Sequence, residues 1–340
     1  MPISAGARTV VAADGASPPA PEVALGLDIG GTKLAAGVVD ASGSVHSFAV
    51  EPSLGEEGPE AVLARLLDLG SRAVAESGVP WAEIASVGIG CGGPIDDVRG
   101  VVLSPPHLPG WVDVPVTALA QDAYGRQAVL ENDATAAAAA EHRYGAGRGT
   151  RNMVYLTIST GVGGGIVIDG RLYRGSLGNG GEFGHVTIDC AGRPCHGCGR
   201  LGCLEAYVSG TSIAQRAREA LADGRESALP AEPTAADVAA AAQAGDPLAR
   251  EIWDEATTAL GCGLTSIVNV LEPELVVLGG GVTRSGDLLL EPVREAVRTT
   301  AMSPAGRAAG IVLSGLGDRV GVVGAAAIAF ERVGASPPAA

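Results

Sequence analysis

The sequence predicts an α/β protein, and three observations carry that expectation. Strand-like apolar runs closed by glycine turns alternate with helix-like stretches along the chain, which is the pattern of α/β architectures. A passage of the form strand, glycine turn, strand occurs once in each half. The 340 residues exceed the usual size of a single domain, so two lobes are expected.

The ordered region opens with the strand Ala24–Ile29, the turn Gly30-Gly31-Thr32-Lys33, and a second strand from Leu34 to Asp40. In the other half Val154–Ile158 leads through Ser159–Gly165 into Ile166–Ile168 and the turn Asp169-Gly170. Both are read as hairpins, because β-branched residues and a second turn signal follow the glycines where a nucleotide-binding Walker or dinucleotide loop needs a helix. Neither GxGxxG nor GxxxxGK[ST] is present, which disfavours a Rossmann dehydrogenase. Such a turn can still cradle phosphate, since missing Cβ atoms let successive N–H groups approach the oxygens.

Between the two passages, Glu60–Glu76 has the spacing of an amphipathic helix, and the strand Ser86–Gly90 ends in Cys91-Gly92-Gly93-Pro94. The strand Ala128–Glu131 runs into Asn132-Asp133 and then the alanine-rich stretch 134–142, a strong helix former behind a favoured N-cap. Further on, Asp246-Pro247 marks the start of a long helix toward Val270, and Leu275–Leu278 is a strand closed by Gly279-Gly280-Gly281.

Composition narrows the function. Apolar residues make up 46% and charged residues 18%, as in a compact folded protein. A net charge of −15 without any basic block argues against nucleic acid as a partner. No apolar run approaches the roughly 18 residues a membrane span needs, and residues 1–21 lack the pattern of a signal peptide. Residues 1–21 and 334–340 are expected to be flexible tails, and the expected location is the cytoplasm.

Three constellations carry chemistry. Asp28 with Gly30, Gly31, Thr32 and Lys33 has the makings of a phosphate loop, in which the carboxylate organises the hydration shell of Mg²⁺ and Thr32 and Lys33 meet phosphate oxygens. The second loop, Thr160 to Gly165, would grip the same phosphates from the other side. Asp133 stands at the end of a strand and the start of a helix, where ligands of α/β proteins gather. There a carboxylate can take the proton of an acceptor hydroxyl and orient its oxygen for attack on phosphorus. The helix N-terminus is expected to keep it ionised; that Asp133 only caps the helix stays open at this point. The third set is metal-like: His185 with Cys195, Cys198 and Cys203 offers a Cys₃His shell for tetrahedral Zn²⁺. Cys190 and His196 are spare candidates, and Cys91 and Cys262 read as core.

At these residues the sequence resembles the ROK family of bacterial sugar kinases and repressors, and among them the glucokinases of actinobacteria, within the sugar kinase and actin superfamily. The motifs that carry the resemblance are LDIGGTK, the GGP turn, END before the alanine helix, STGVGGG, GEFGH, CGxxGCLE and LGGGV. Together they span about Ala24 to Phe330. The resemblance implies a two-lobed actin-like ATPase fold of ribonuclease H type, with an interlobe cleft and a small zinc-binding loop. The small lobe would be 22–132, completed by a C-terminal helix at 320–333, and the large lobe 133–319 with the zinc loop at 185–205.

It further implies an ATP:hexose 6-phosphotransferase using ATP with Mg²⁺, a structural Zn²⁺, and a homodimer or homotetramer. Asp133 corresponds to the catalytic base. Asn132, Glu182, His185 and Glu205 correspond to residues that bind the sugar hydroxyls, with Gly93 beside them. Asp28, Gly30, Gly31, Thr32, Lys33, Thr160, Gly161, Gly163 and Gly164 correspond to the phosphate segments, and Gly279, Gly280 and Gly281 to the adenosine-side turn. His185, Cys195, Cys198 and Cys203 correspond to the zinc ligands. In the family the first two cysteines flank one residue; here Cys195 and Cys198 flank two, which leaves His196 as an alternative to Cys195. Glucose is the expected hexose, with kanosamine, N-acetylmannosamine or N-acetylglucosamine as alternatives. A repressor is the weaker alternative, because the 27 residues before Asp28 do not have the makings of a DNA-binding domain.

Overall fold

The computed structural model describes residues 22–333, so the two tails expected from the sequence lie outside the described residues. The first half builds one five-stranded sheet from β1 (Val23–Ile29), β2 (Lys33–Asp40), β3 (Val45–Pro52), β4 (Ile84–Cys91) and β7 (Gln127–Asn132), with the short pair β5 (Ile95–Asp96) and β6 (Val101–Val102) beside it. Helices α1 (Pro59–Ser77) and α2 (Val116–Tyr124) belong to this half, and α3 (Asp133–Tyr144) follows β7 directly. The second half builds another five-stranded sheet from β8 (Met153–Ile158), β9 (Val162–Ile168), β10 (Arg171–Tyr173), β11 (Leu275–Gly279) and β12 (Gly310–Leu313). Its helices are α4 (Glu205–Val208), α5 (Gly210–Ala222), α6 (Ala235–Ala244), α7 (Pro247–Leu271), α8 (Asp287–Thr300) and α9 (Pro304–Ala308), and α10 (Val320–Val333) ends the described chain.

The strand orders are β3-β2-β1-β4-β7 and β10-β9-β8-β11-β12. In each sheet three strands form an antiparallel meander, and two more join parallel to the first. The internal repeat therefore extends well past the two glycine turns that reveal it in the sequence, to the whole sheet.

Local signals explain the helices. In α1, Pro59 at the first turn and Gly78 in the left-handed conformation bound a helix that buries Val62, Leu66 and Leu69. Asp246 caps α7 by accepting from the Ala249 N–H at 2.9 Å. Cys262, expected in the core, is exposed, because it points outward from α7 between the buried Gly261 and Gly263. No helix among the described residues is long and apolar enough to cross a membrane.

The layer between the sheets is made by α3 and α10. Glycines let the backbones meet there. Gly26 and Gly88 are paired in register on β1 and β4, and a Cβ on them would fall 2.1 Å from the Val322 carbonyl oxygen and 1.8 Å from that of Ala325. On its other side α10 approaches α3 so closely that a Cβ on Gly324 would lie 2.5 Å from the Ala136 carbonyl. Val322, Val323, Ala326 and Phe330 of α10 share a core with Ala24, Ala35 and Ala140, while Ala137 and Ala138 of α3 pack with Met153, Tyr155 and Val277 of the second sheet. Glu141, fully buried on α3, accepts from the N–H groups of Gly315 and Leu316, both at 3.1 Å, and so ties α3 to the segment that enters α10.

Candidate active site

Asp28 and Asp133 lie on either side of β4, near enough for Asp133 to act on the Asp28 carboxyl. β1 ends at Ile29, β4 pairs with both β1 and β7, and Cys91 lies opposite Asn132. A Cβ on Gly90, between them, would be 3.6 Å from Asp28 Oδ1 and 3.8 Å from the Asp133 Cα. Asn132 is the N-cap of α3: its Oδ1 accepts from the N–H groups of Ala134 and Thr135, both at 3.1 Å. Asp133 is thus the first helical residue, and it is not needed as the cap. Its carboxylate also accepts from the Ala134 N–H at 2.8 Å.

The helix N-terminus, expected to keep Asp133 ionised, is opposed here by burial. Burial raises the Asp133 pKa, outweighing the Ala134 N–H and the nearby His107 that favour the charge. Asp28 is raised to about 7 by burial and by Asp133, with Lys33 acting in the opposite direction. Both shifts express the cost of charging two buried carboxyl groups near one another, a cost that a cation would relieve.

The first glycine turn closes with Gly30 N–H donating to the Lys33 carbonyl at 3.0 Å. Ser53, buried just after β3, donates from its hydroxyl to the Gly31 carbonyl at 2.6 Å and braces the turn. Thr32 and Lys33 are exposed at its tip. The second turn is shorter than the sequence suggests. Ser159 N–H donates to the Gly161 carbonyl at 2.9 Å, and Val162 already begins β9. Thr160 and Gly161 therefore form the open turn, whereas Gly163 and Gly164 lie in β9, where a Cβ would fall 3.0 Å from that of Ala134 and 2.3 Å from the Phe183 ring. Packing accounts for these two glycines. Gly280, at φ 90°, and Gly281 sit at the end of β11 against Ile158 and Ser159, next to the second turn.

The segment after β10 brings Glu182 and His185 to the same region. Burial, Asp133 and Glu205 push the Glu182 carboxyl up while His185 holds it down. His185 uses both ring nitrogens: Nδ1 is 3.7 Å from the Cys195 Sγ and Nε2 is 4.0 Å from Glu182 Oε2. Gly93, joined to Pro94 by a cis peptide, lies over Asn132, whose Nδ2 is 3.7 Å from where a Cβ on Gly93 would be.

His185, Cys195, Cys198 and Cys203 converge, with their ligand atoms all within 4.8 Å of one another and Cys198 Sγ 3.5 Å from Cys203 Sγ. A tetrahedron with bonds of about 2.0–2.3 Å has edges of roughly 3.3–3.8 Å, so the donor set and its spacing suit zinc. Arg200 holds the Cys198 thiol down at about 7 against a burial penalty. The extra residue between Cys195 and Cys198 is absorbed in a turn, in which Gly199 N–H donates to the Cys195 carbonyl at 2.8 Å. Cys195 stays in the cluster, while His196 and Cys190 are exposed and outside it.

Sequence reasoning missed His107. It lies in Pro105-Pro106-His107-Leu108-Pro109, anchored by the buried Leu108 and Trp111. A Cβ on Gly92 would be 2.4 Å from its Cε1, and one on Gly31 3.1 Å from its Cβ, so the ring rests between the GGP turn and the first glycine turn. Burial draws its pKa down, partly countered by Asp133. A histidine enclosed by prolines between a strand and a helix was the available signal.

The chain matches the ROK family over residues 24–332. It belongs to that family. Among ROK relatives it is 35% identical to a glucokinase of Thermotoga maritima, over 91% of this chain and 98% of the other. A ROK hexokinase from Thermus thermophilus superimposes with a TM-score of 0.76 at 38% identity, covering 92% of this chain and 99% of that one. A ROK glucokinase from Streptomyces griseus, solved in complex with glucose and AMPPNP, superimposes with a TM-score of 0.78 at 34% identity, over 91% and 99%. This ROK protein thus has the actin-like α/β fold of those kinases.

Proposed function

We infer that this protein is an ATP-dependent hexokinase that phosphorylates the 6-hydroxyl of a hexose, glucose foremost. The observation that carries the inference is the meeting of two kinds of group at one place. Among the polar side chains, Asn132 precedes Asp133, Asp133 and Glu205 both act on the Glu182 carboxyl, and His185 lies beside Glu182. Among the glycine turns, Asp28 before the first adjoins Gly90 with Asp133, the Gly161 turn adjoins Glu205, and Gly280 packs on Ile158 next to that turn. The first kind suits vicinal hydroxyls and the second suits phosphates. Similarity to glucokinases over nine-tenths of the chain supports the same assignment.

In this mechanism Asp133 accepts the proton of the 6-hydroxyl as the hydroxyl oxygen bonds to the γ-phosphorus, the γ-phosphorus–oxygen bond to the β-phosphate breaks and ADP leaves. Burial raises the Asp133 pKa, which makes the carboxylate a stronger base than an exposed aspartate. Glu182, Asn132 and Glu205 hold the ring hydroxyls, and Gly93 leaves room beside Asn132. Thr32, Lys33, Thr160 and Gly161 meet phosphate oxygens, and Gly280 and Gly281 face the adenosine side. Asp28 would hold the hydration shell of a bound Mg²⁺, which would offset the phosphate charge. Zn²⁺ on His185, Cys195, Cys198 and Cys203 would be structural, since four protein ligands leave no position for a reacting water.

We further propose that 22–132 with 320–333 acts as the small lobe and 133–319 as the large one. The packing of α10 on the first sheet supports this division. Resemblance alone supports a homodimer or homotetramer in the cytoplasm. The test is hexose-phosphate formation across a hexose panel, with ADP release followed when ATP is the donor and polyphosphate tried in its place. Turnover with glucose and ATP is expected; release with no hexose would overturn the assignment.

A further inference from the structure

Glu131 precedes the Asn132-Asp133 pair at the end of β7, and its side chain is 1% exposed. A carboxylate that deep is costly unless its oxygens are matched by donors. Three donors reach it. Arg174 Nε donates to Oε2 at 2.6 Å, Arg332 Nη2 to the same oxygen at 3.0 Å, and the Asn132 N–H to Oε1 at 3.1 Å.

These donors come from parts of the chain that otherwise belong to different layers. Arg174 follows β10 of the second sheet and opens the segment 174–181 that leads to Glu182. Arg332 is in the last turn of α10 and also donates to Asp97, just beyond the GGP turn and β5, at 2.7 Å. The other arm of Arg174 reaches Glu331 at 3.2 Å. The 174–181 segment lies against Asp97, since a Cβ on Gly178 would be 3.2 Å from its Oδ1. With Gly175, Gly178 and Gly181 at positive φ and Leu177 83% exposed, the segment has little packing of its own to fix it.

We propose that Glu131 is a positioning residue for the sugar site, setting the 174–181 segment, and with it Glu182, through Arg174. Through Arg332 and Asp97 the same carboxylate holds that segment against the GGP turn, so Gly93, Asn132 and Glu182 are placed by one buried group. Buried ion pairs seldom add net stability over apolar packing, so stability alone is a poor account of a cluster placed here. The proposal rests on the hexokinase assignment above.

The experiment is steady-state kinetics and calorimetric glucose binding for wild type, Glu131→Gln, Arg174→Gln and the double variant, each also combined with Glu182→Gln. Glu131→Gln and Arg174→Gln are expected to raise the KM and Kd for glucose at least tenfold and to leave the KM for ATP within about twofold. The double variant should be no worse than either single, and adding Glu131→Gln to Glu182→Gln should change glucose affinity less than twofold. A role confined to stability would lower Tm without that split or that non-additivity. If Glu131→Gln fails to fold, Arg174→Gln, at a site 22% exposed, decides alone. Unchanged glucose KM in folded variants, or equal changes in both KM values, would overturn this inference while an active wild type leaves the kinase assignment standing. A wild type that turns over no hexose would bring down both.

Discussion

Glu205 accepts a hydrogen bond from the Val162 N–H at 2.9 Å, so the residue just beyond the last cysteine of the metal cluster also fixes the start of β9 behind the second glycine turn. Its other oxygen lies 3.3 Å from the Cys195 Sγ. The proposed sugar side and the proposed phosphate side are therefore joined at this carboxylate. Glu182, by contrast, has no such bond to a glycine turn, and the two residues should respond differently to the same change.

Glu182→Gln should raise the KM for glucose roughly ten- to hundredfold, the cost of one charged hydrogen bond of about 1.5–3 kcal/mol. The KM for ATP should stay unchanged. Glu205→Gln should raise both, because the Val162 N–H loses a charged partner. Varying each substrate in turn measures the contrast, and a pure glucose effect in Glu205→Gln would refute the coupling.

Asp133→Asn should lower kcat by about 10²–10⁴-fold with sugar affinity little changed. The fold should survive, since Asn132 supplies the cap of α3. Retention of more than about a tenth of wild-type kcat would remove Asp133 from the role of base.

Lys33→Ala should raise the KM for ATP and leave that for glucose alone. Lys33 stands exposed at the tip of the first turn, where its charge also favours the ionised form of Asp28. An equal effect on both substrates would place the turn elsewhere in the mechanism.

Asp28 has a pH signature. Its pKa is about 7 when folded and about 3.8 when unfolded, so the folded state holds the proton more tightly. Its contribution to stability is greatest below the unfolded value and is lost as pH rises from about 4 through 7. Asp28→Asn should therefore stabilise the nucleotide-free protein by an amount on the order of a few kcal/mol at pH 8, less at pH 5, and abolish turnover. Calorimetric Tm values at the two pH values check it; a lower Tm at pH 8 than wild type would contradict the assigned burial penalty.

Elemental analysis should find about one zinc per chain. Cys198→Ser or chelation should lower Tm and raise the glucose KM together, because His185 joins the cluster to Glu182. Active protein free of zinc would end the structural-metal proposal.

Much of this was legible in the sequence where the cause is local. The hairpins follow from glycine turns between β-branched runs, α3 from alanine behind Asn132, and the metal set from three cysteines close together. What was hidden depends on distant partners. Gly26 and Gly88 look like weaknesses in strands until α10 arrives from the far end of the chain to lie on them. The glycines of β9 read as a phosphate loop, yet α3 and Phe183 are what they accommodate. Glu131 stands in a motif read for the two residues after it, and the prolines around His107 are its one local signal; burial and the groups brought to them across the fold show what each does. The pKa of Asp133 shows the same limit, since a helix N-terminus is visible locally and its desolvation is not.

The shared layer of α3 and α10 has a consequence for biosynthesis. A ribosome makes α10 after every other described element, yet the first sheet needs it to cover the face that carries Gly26 and Gly88. The earliest strands to emerge therefore remain with one apolar face bare during nearly all of translation. The N-terminal half cannot mature as an independent unit ahead of the rest, and a nascent chain stalled before Val320 would be a client for chaperones rather than a half-built enzyme.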